Sequence, residues 1–188
     1  EAFNIGTDFP EDHPDVLAGK PFRGVNFWPP IDGWRQRALD YFNHCLELGR
    51  TIHRGFSMDL GLDEEFFARH LSSPIATLRM LRYPPSAGTN TREDGGAGTH
   101  SDYGNITILA TDKVAGLEVL NRQGEWIQAP HVPGAFVCNI GDCLMRWSND
   151  VYVSTPHRVR PPAQERYSIA HFLEVNPDSV VDPRDVVP

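Results

Sequence analysis

Three residues of this chain have the types and spacing to grip one metal ion. His100 and Asp102 stand two apart in Thr99-His100-Ser101-Asp102-Tyr103-Gly104. In extended backbone, residues i and i+2 project to the same side, so one ion can touch both. A third donor must come from elsewhere, and His157, in Ser154-Thr155-Pro156-His157-Arg158-Val159, lies far enough on for several strands to intervene before a partner returns beside the first. Two imidazoles and one carboxylate on one octahedral face leave three adjacent positions for other molecules, the arrangement suited to non-haem Fe(II) and dioxygen. Arg166 and Ser168 form a second i, i+2 pair. A guanidinium fork beside a hydroxyl suits a carboxylate, which arginine holds through two parallel charge-assisted hydrogen bonds. A small dicarboxylate can therefore bridge the metal and Arg166.

Strands must carry these pairs, and the pattern supplies them in the second part of the chain. After Pro74 short alternating or apolar runs are separated by turn residues, as in an all-β sandwich or barrel. The expected strands are Thr77–Tyr83, Ile106–Thr111, Leu117–Leu120, Trp126–Ala129, Ala135–Ile140, Asp142–Trp147, His157–Arg160 and Arg166–Leu173. Eight strands with helices packed outside predict a mainly β jelly roll. Before Pro74 the habit differs. Residues 1–31 are rich in Pro, Gly and Asp without periodicity and read as an irregular packed arm. From Asp32, the positions Trp34, Ala38, Phe42, Cys45, Gly49, Ile52, Phe56 and Leu60 step by three or four, one face of a long helix that Gly61 is placed to end. A short helix is expected after Asp63 as N-cap. The expected division is an arm with supporting helices over 1–73, the β core over 74–178 and a tail over 179–188. The glycine-rich stretch Ser86–Thr99 lacks the Lys and Ser/Thr of a phosphate loop and reads first as a plain connection, with a mobile loop beside the site as the second reading.

Composition removes several classes of function. The 188 residues carry 17 Lys+Arg against 25 Asp+Glu, a net charge of -8, so no broad basic face exists for a nucleic-acid backbone. No run reaches the roughly 18 apolar residues of a membrane span. Three irregularly spaced cysteines, Cys45, Cys138 and Cys143, form neither a disulfide framework nor a thiolate zinc site and fit a reducing cytoplasm. The expected partner is a small molecule, with the oligomeric state open.

The series His100-x-Asp102, His157, Arg166-x-Ser168 resembles the Fe(II)/2-oxoglutarate-dependent dioxygenases, in the branch similar to isopenicillin N synthase. Supporting strings are Leu78-Arg79-Met80-Leu81-Arg82-Tyr83-Pro84-Pro85, Asn139-Ile140-Gly141-Asp142, Trp147-Ser148-Asn149-Asp150 and Asn176-Pro177-Asp178. The resemblance implies a double-stranded β-helix core. It puts His100, Asp102 and His157 at the iron-ligand positions and Arg166 and Ser168 at those for the distal carboxylate of 2-oxoglutarate, with Tyr83 nearby. Leu81 stands where many plant members carry Asn, and Arg79, on the same strand face, is the candidate replacement contact. The implied reaction consumes dioxygen and 2-oxoglutarate, releases succinate and carbon dioxide, and oxidises a small molecule, hydroxylation being the default. It also implies a catalytic core that lacks an amino-terminal portion and a carboxy-terminal helix.

Around the metal, Tyr103 is the expected substrate-facing residue, and Phe172, on the parity of Arg166 and Ser168, is expected to wall the pocket. His171, on the other parity, should point away. Arg158 and Arg160 should face outward, and histidines 13, 44, 53, 70 and 131 default to surface or packing roles. Two alternatives remain at this level: an iron oxidase of the same superfamily that does not use 2-oxoglutarate, and a non-catalytic jelly roll that binds a small ligand.

Overall fold

Alternation along the strands sets the layers of the computed structural model, which describes residues 1–86 and 96–186. The strands are β1 (Ala2–Gly6), β2 (Ala76–Tyr83), β3 (Ala97–His100), β4 (Ile106–Thr111), β5 (Leu117–Leu120), β6 (Trp126–Gln128), β7 (Val137–Ile140), β8 (His157–Val159) and β9 (Arg166–Leu173). They form a five-stranded sheet in the order β1-β2-β9-β4-β7 and a four-stranded sheet in the order β3-β8-β5-β6, with antiparallel pairing throughout. This is the jelly roll expected from the turn-punctuated runs.

The larger sheet sends opposite parities to opposite partners. Leu78 of β2, Ile106 and Ile108 of β4 and Leu173 of β9 pack against helix α2 (Trp34–Asp59) through Ala38 and Phe42. Leu109 of β4 and Ala170 of β9 turn the other way and meet Leu117 of β5 and Val159 of β8 across the space between the sheets. One side is therefore a solid helix-on-sheet core, while the other encloses a cavity. The helix approaches closely because Gly49 has no Cβ: one built there would lie 2.5 Å from Leu173 Cδ2. Gly61, at φ 69°, ends α2, with Leu62 N–H donating to the Ser57 carbonyl and Gly61 N–H to that of Met58.

Three expectations need correction. The arm contains β1, whose Phe3 and Ile5 share an inward face; five residues among Pro, Gly and Asp were too short to show a period. It also contains the single-turn α1 (Pro14–Leu17). Asp63 does not start an α-helix: its carboxylate accepts the Glu65 N–H at 3.0 Å in a turn, followed by a 3-10 turn at Ala68–Leu71 that runs into Ser72-Ser73-Pro74. Finally, Asp142–Trp147 is helix α3, not a strand. Leu144 and Trp147, both fully buried, are three apart, so the helical spacing satisfies the same apolar residues that a strand reading uses. Ser86–Thr99 is described only at its ends: Ala97–His100 is strand β3, and residues 87–95 lie outside the described residues.

Candidate metal and cosubstrate site

Both candidate histidine donors stand at strand ends. His100 is the last residue of β3, His157 is the first of β8, and the two are directly paired in register. Asp102 lies two residues past the end of β3, immediately before the bend at 103–105. One donor atom from each of the three lies within 4.8 Å of the others. His157 Nε2 is 3.6 Å from Asp102 Oδ1, and the imidazole centroids are 4.3 Å apart. Asp102 and His157 are buried, while His100 is exposed on the open side.

Hydrogen bonds fix which atoms face the ion. His100 Nδ1 lies 2.7 Å from the Gly98 carbonyl and His157 Nδ1 lies 3.0 Å from that of Thr155. A carbonyl only accepts, so each Nδ1 carries the proton and each Nε2 offers its lone pair, the arrangement that orients a ligating imidazole. Asp102 Oδ2 accepts from Thr107 Oγ1 at 2.7 Å, which leaves Oδ1 for the ion. The bend is held from behind by the first turn of α3: Asp142 N–H donates to the Asp102 carbonyl (2.8 Å) and Cys143 N–H to that of Tyr103 (3.0 Å). Gly141 makes this possible, because a Cβ there would fall 2.1 Å from the Gly104 oxygen.

The cavity, about 500 Å³, runs from these donors to Arg166 and is lined along β2 and β9 by Arg79, Leu81, Tyr83, Ser168, Ala170 and Phe172. Arg166 is 1% exposed, its guanidinium 5.2 Å from the Tyr83 ring and Nη1 3.5 Å from Ser168 Oγ. Its Nε has no partner, a buried donor that calls for an acceptor in the cavity. Gly116 packs beside it, with a built Cβ 3.4 Å from Nε. The residues present thus fit both groups: two imidazoles held through Nδ1 and a carboxylate suit a ferrous ion, and a buried, underused guanidinium suits a carboxylate.

Every expected site residue lines this cavity except Tyr103, which is 86% exposed and contributes its backbone carbonyl to the α3 contact. Its position on a tight bend turns the side chain outward, so the structure does not bring it to the cavity wall. Phe172 is on the wall, and His171 faces α2, 5.1 Å from the Phe42 ring. Arg158 and Arg160 both pair with Glu118, at 2.7 and 2.8 Å. Sequence reasoning missed Thr107, Asn139, Gly116 and α3. Parity could have found Thr107, which alternates with buried Ile106 and Ile108 on β4 and pairs with Phe172. It also missed His53, which is fully buried, lies 2.7 Å from the Gly49 carbonyl through Nδ1 and 3.0 Å from the Asn105 amide through Nε2, and so ties α2 to the bend.

The family model of the 2OG-Fe(II) oxygenase superfamily matches residues 74–175. The chain belongs to this superfamily. It is 36% identical over 187 residues to the 2-oxoglutarate-Fe(II) type oxidoreductase hxnY of Emericella nidulans, covering 96% of this chain and 54% of that protein. It is 41% identical over 175 residues to a homoarginine-6-hydroxylase of Glycine max, covering 89% and 53% respectively. Among solved structures, Neurospora crassa T7H in complex with alpha-KG superposes with a TM-score of 0.83 at 32% identity, over 96% of this chain and 56% of that one. The chain spans about half the length of the curated relatives it matches. Among the described residues, no helix is long and apolar enough to cross a membrane.

Proposed function

We propose that this chain is the catalytic core of an Fe(II)- and 2-oxoglutarate-dependent oxygenase that hydroxylates a small molecule. The observation that carries the reading is one cavity with a metal-type donor triad at one end and a buried, partly unpartnered arginine at the other. Iron and 2-oxoglutarate supply the oxidising chemistry when bound, yielding succinate and carbon dioxide. His100, Asp102 and His157 hold the metal from one side and leave its other positions open. Thr107 keeps one Asp102 oxygen occupied, which favours single-oxygen ligation by the other. Arg166, Ser168 and Tyr83 receive the distal carboxylate, and Leu109, Leu117 and Phe172 keep water from the space between. The relatives that act on homoarginine support a small-molecule substrate. A cytoplasmic setting is part of the reading, supported by three unpaired thiols.

The test is an anaerobic Fe(II) titration followed by oxygen admission and a succinate assay. The expected result is metal-dependent 2-oxoglutarate binding and oxygen-dependent succinate. Oxygen uptake with no succinate would instead mark an oxidase, and neither would leave only a ligand-binding jelly roll.

A further inference from the structure

We infer that Arg79 binds a carboxylate of the primary substrate, so that the molecule oxidised is a small organic acid. The inference rests on the oxygenase reading of the same cavity. Three arginines line that cavity: Arg79, Arg82 and Arg166. Arg82 is spent on Glu1 (2.9 Å) and Glu165 (2.5 Å), which also occupies the acidic side chain of the Glu1 wall. Arg166 is buried and committed, in this reading, to 2-oxoglutarate. Arg79 is exposed and makes neither an ion pair nor a side-chain hydrogen bond among the described residues.

The carboxylates of 2-oxoglutarate are already allotted, one to the metal and one to Arg166, so the molecule has no third anionic group for Arg79. Register keeps the two cations apart, and in this inference Arg79 serves the substrate in place of the cosubstrate contact that the resemblance implied for it. Tyr83 pairs with Arg166, whereas Arg79 pairs with Ala170, four residues back along β2 or about 13 Å at strand rise. The surroundings of Arg79 suit the carbon body of an acid. Ala170 leaves room beside it, Leu109 follows on β4, and both line the cavity. One further step along β4 is the level of Thr107, whose hydroxyl bonds Asp102, about 7 Å from Leu109. An acid anchored at Arg79 thus lies over an apolar floor with its far end directed at the metal. A planar guanidinium recognises a carboxylate through paired hydrogen bonds that an amide cannot reproduce.

Calorimetry on the Fe(II)-loaded full chain, anaerobic and saturated with 2-oxoglutarate, tests this with hexanoate, benzoate, phenylacetate and N-acetyl-lysine, each against its primary amide. The expected result is at least one acid bound tenfold or more tighter than its amide. Arg79→Gln should erase that preference, Arg79→Lys should keep part of it, and the affinity for 2-oxoglutarate should shift less than twofold in both. If no acid is preferred over its amide, or the preference survives Arg79→Gln, the inference is overturned while the oxygenase reading stands. A loss of 2-oxoglutarate affinity in Arg79→Gln comparable to that of Arg166→Ala would assign Arg79 to the cosubstrate and overturn it as well. Absence of metal-dependent 2-oxoglutarate binding in the unmodified chain takes down both readings.

Discussion

At the buried end of the cavity, Tyr83 closes β2, Arg166 opens β9 directly opposite it and Ser168 lies two residues further in, all on one face of an eight-residue ladder that runs without a register shift. At the metal end, His100 closes β3, His157 opens β8 and Asp102 lies beyond any strand. Their directions depend on a hydrogen bond donated by Thr107 to Asp102, on those the two imidazoles donate to backbone carbonyls, and on those the first turn of α3 donates to the Asp102 and Tyr103 carbonyls. An unbroken ladder between two long central strands aims the side chains along it as far as its last pair, whereas the short, irregular pairing of β3 with β8 leaves the residues at its ends to be held by other groups. The carboxylate end should therefore respond to changes in its own residues, and the metal end also to changes in residues that never touch the ion.

The largest expected effect is at the metal end itself. Asp102→Ala removes the carboxylate of the donor triad, and succinate formation should fall to background with the circular dichroism spectrum unchanged; retained turnover would dissolve the contrast between the two ends. Next is Arg166→Ala, which leaves a carboxylate without its charge partner. A cost of about 2–5 kcal/mol predicts roughly a 30- to 4,000-fold weaker 2-oxoglutarate affinity by calorimetry, with metal affinity unaffected.

The two faces of β9 sharpen the comparison through pH. His53 and His171, on the α2 side, have their pKa pushed down to about 4, chiefly by burial. Both are neutral in the fold, and the unfolded chain takes up their protons first as pH falls through the ordinary histidine value near 6.5. Their stabilisation is complete above that pH and is lost toward the folded pKa. The metal-free chain should therefore lose about 2 kcal/mol per histidine between pH 6.5 and 5 in urea unfolding. His171→Leu, which removes a ring with no hydrogen-bond partner, should flatten that slope; an unaltered slope would place the acid sensitivity elsewhere.

The smallest expected effect is the most telling. Thr107→Val deletes a hydroxyl that only orients Asp102, and metal affinity should drop about 10- to 100-fold with 2-oxoglutarate affinity at saturating metal unchanged. Equal weakening of both would mean that the two ends are not built independently.

The sequence alone made the strands from Ile106 to Leu120 and from Arg166 to Leu173 legible with their bounds, because alternation over a half-buried sheet is a local pattern. The helix ended by Gly61 was legible for the same reason. Short elements were not. Ala2–Gly6 and Asp142–Trp147 have five and six residues, too few to separate a period of two from one of 3.6. The expected nearness of His100 and Asp102 held, although Asp102 lies past the end of β3 rather than within a strand.

Residue types, order and parity determined which side chains can do the chemistry, which face of β9 carries Arg166 and Ser168, and which family the chain resembles. Only the tertiary structure decided that β3 and β8 pair so that His100 meets His157, that Thr107 and α3 hold the Asp102 bend, and that Arg79 stands apart from Arg166 on the cavity wall. Each of these is a contact between segments distant in the chain. Local propensity encodes a residue's direction but not its long-range partner, which is set when packing of the sheets fixes the register.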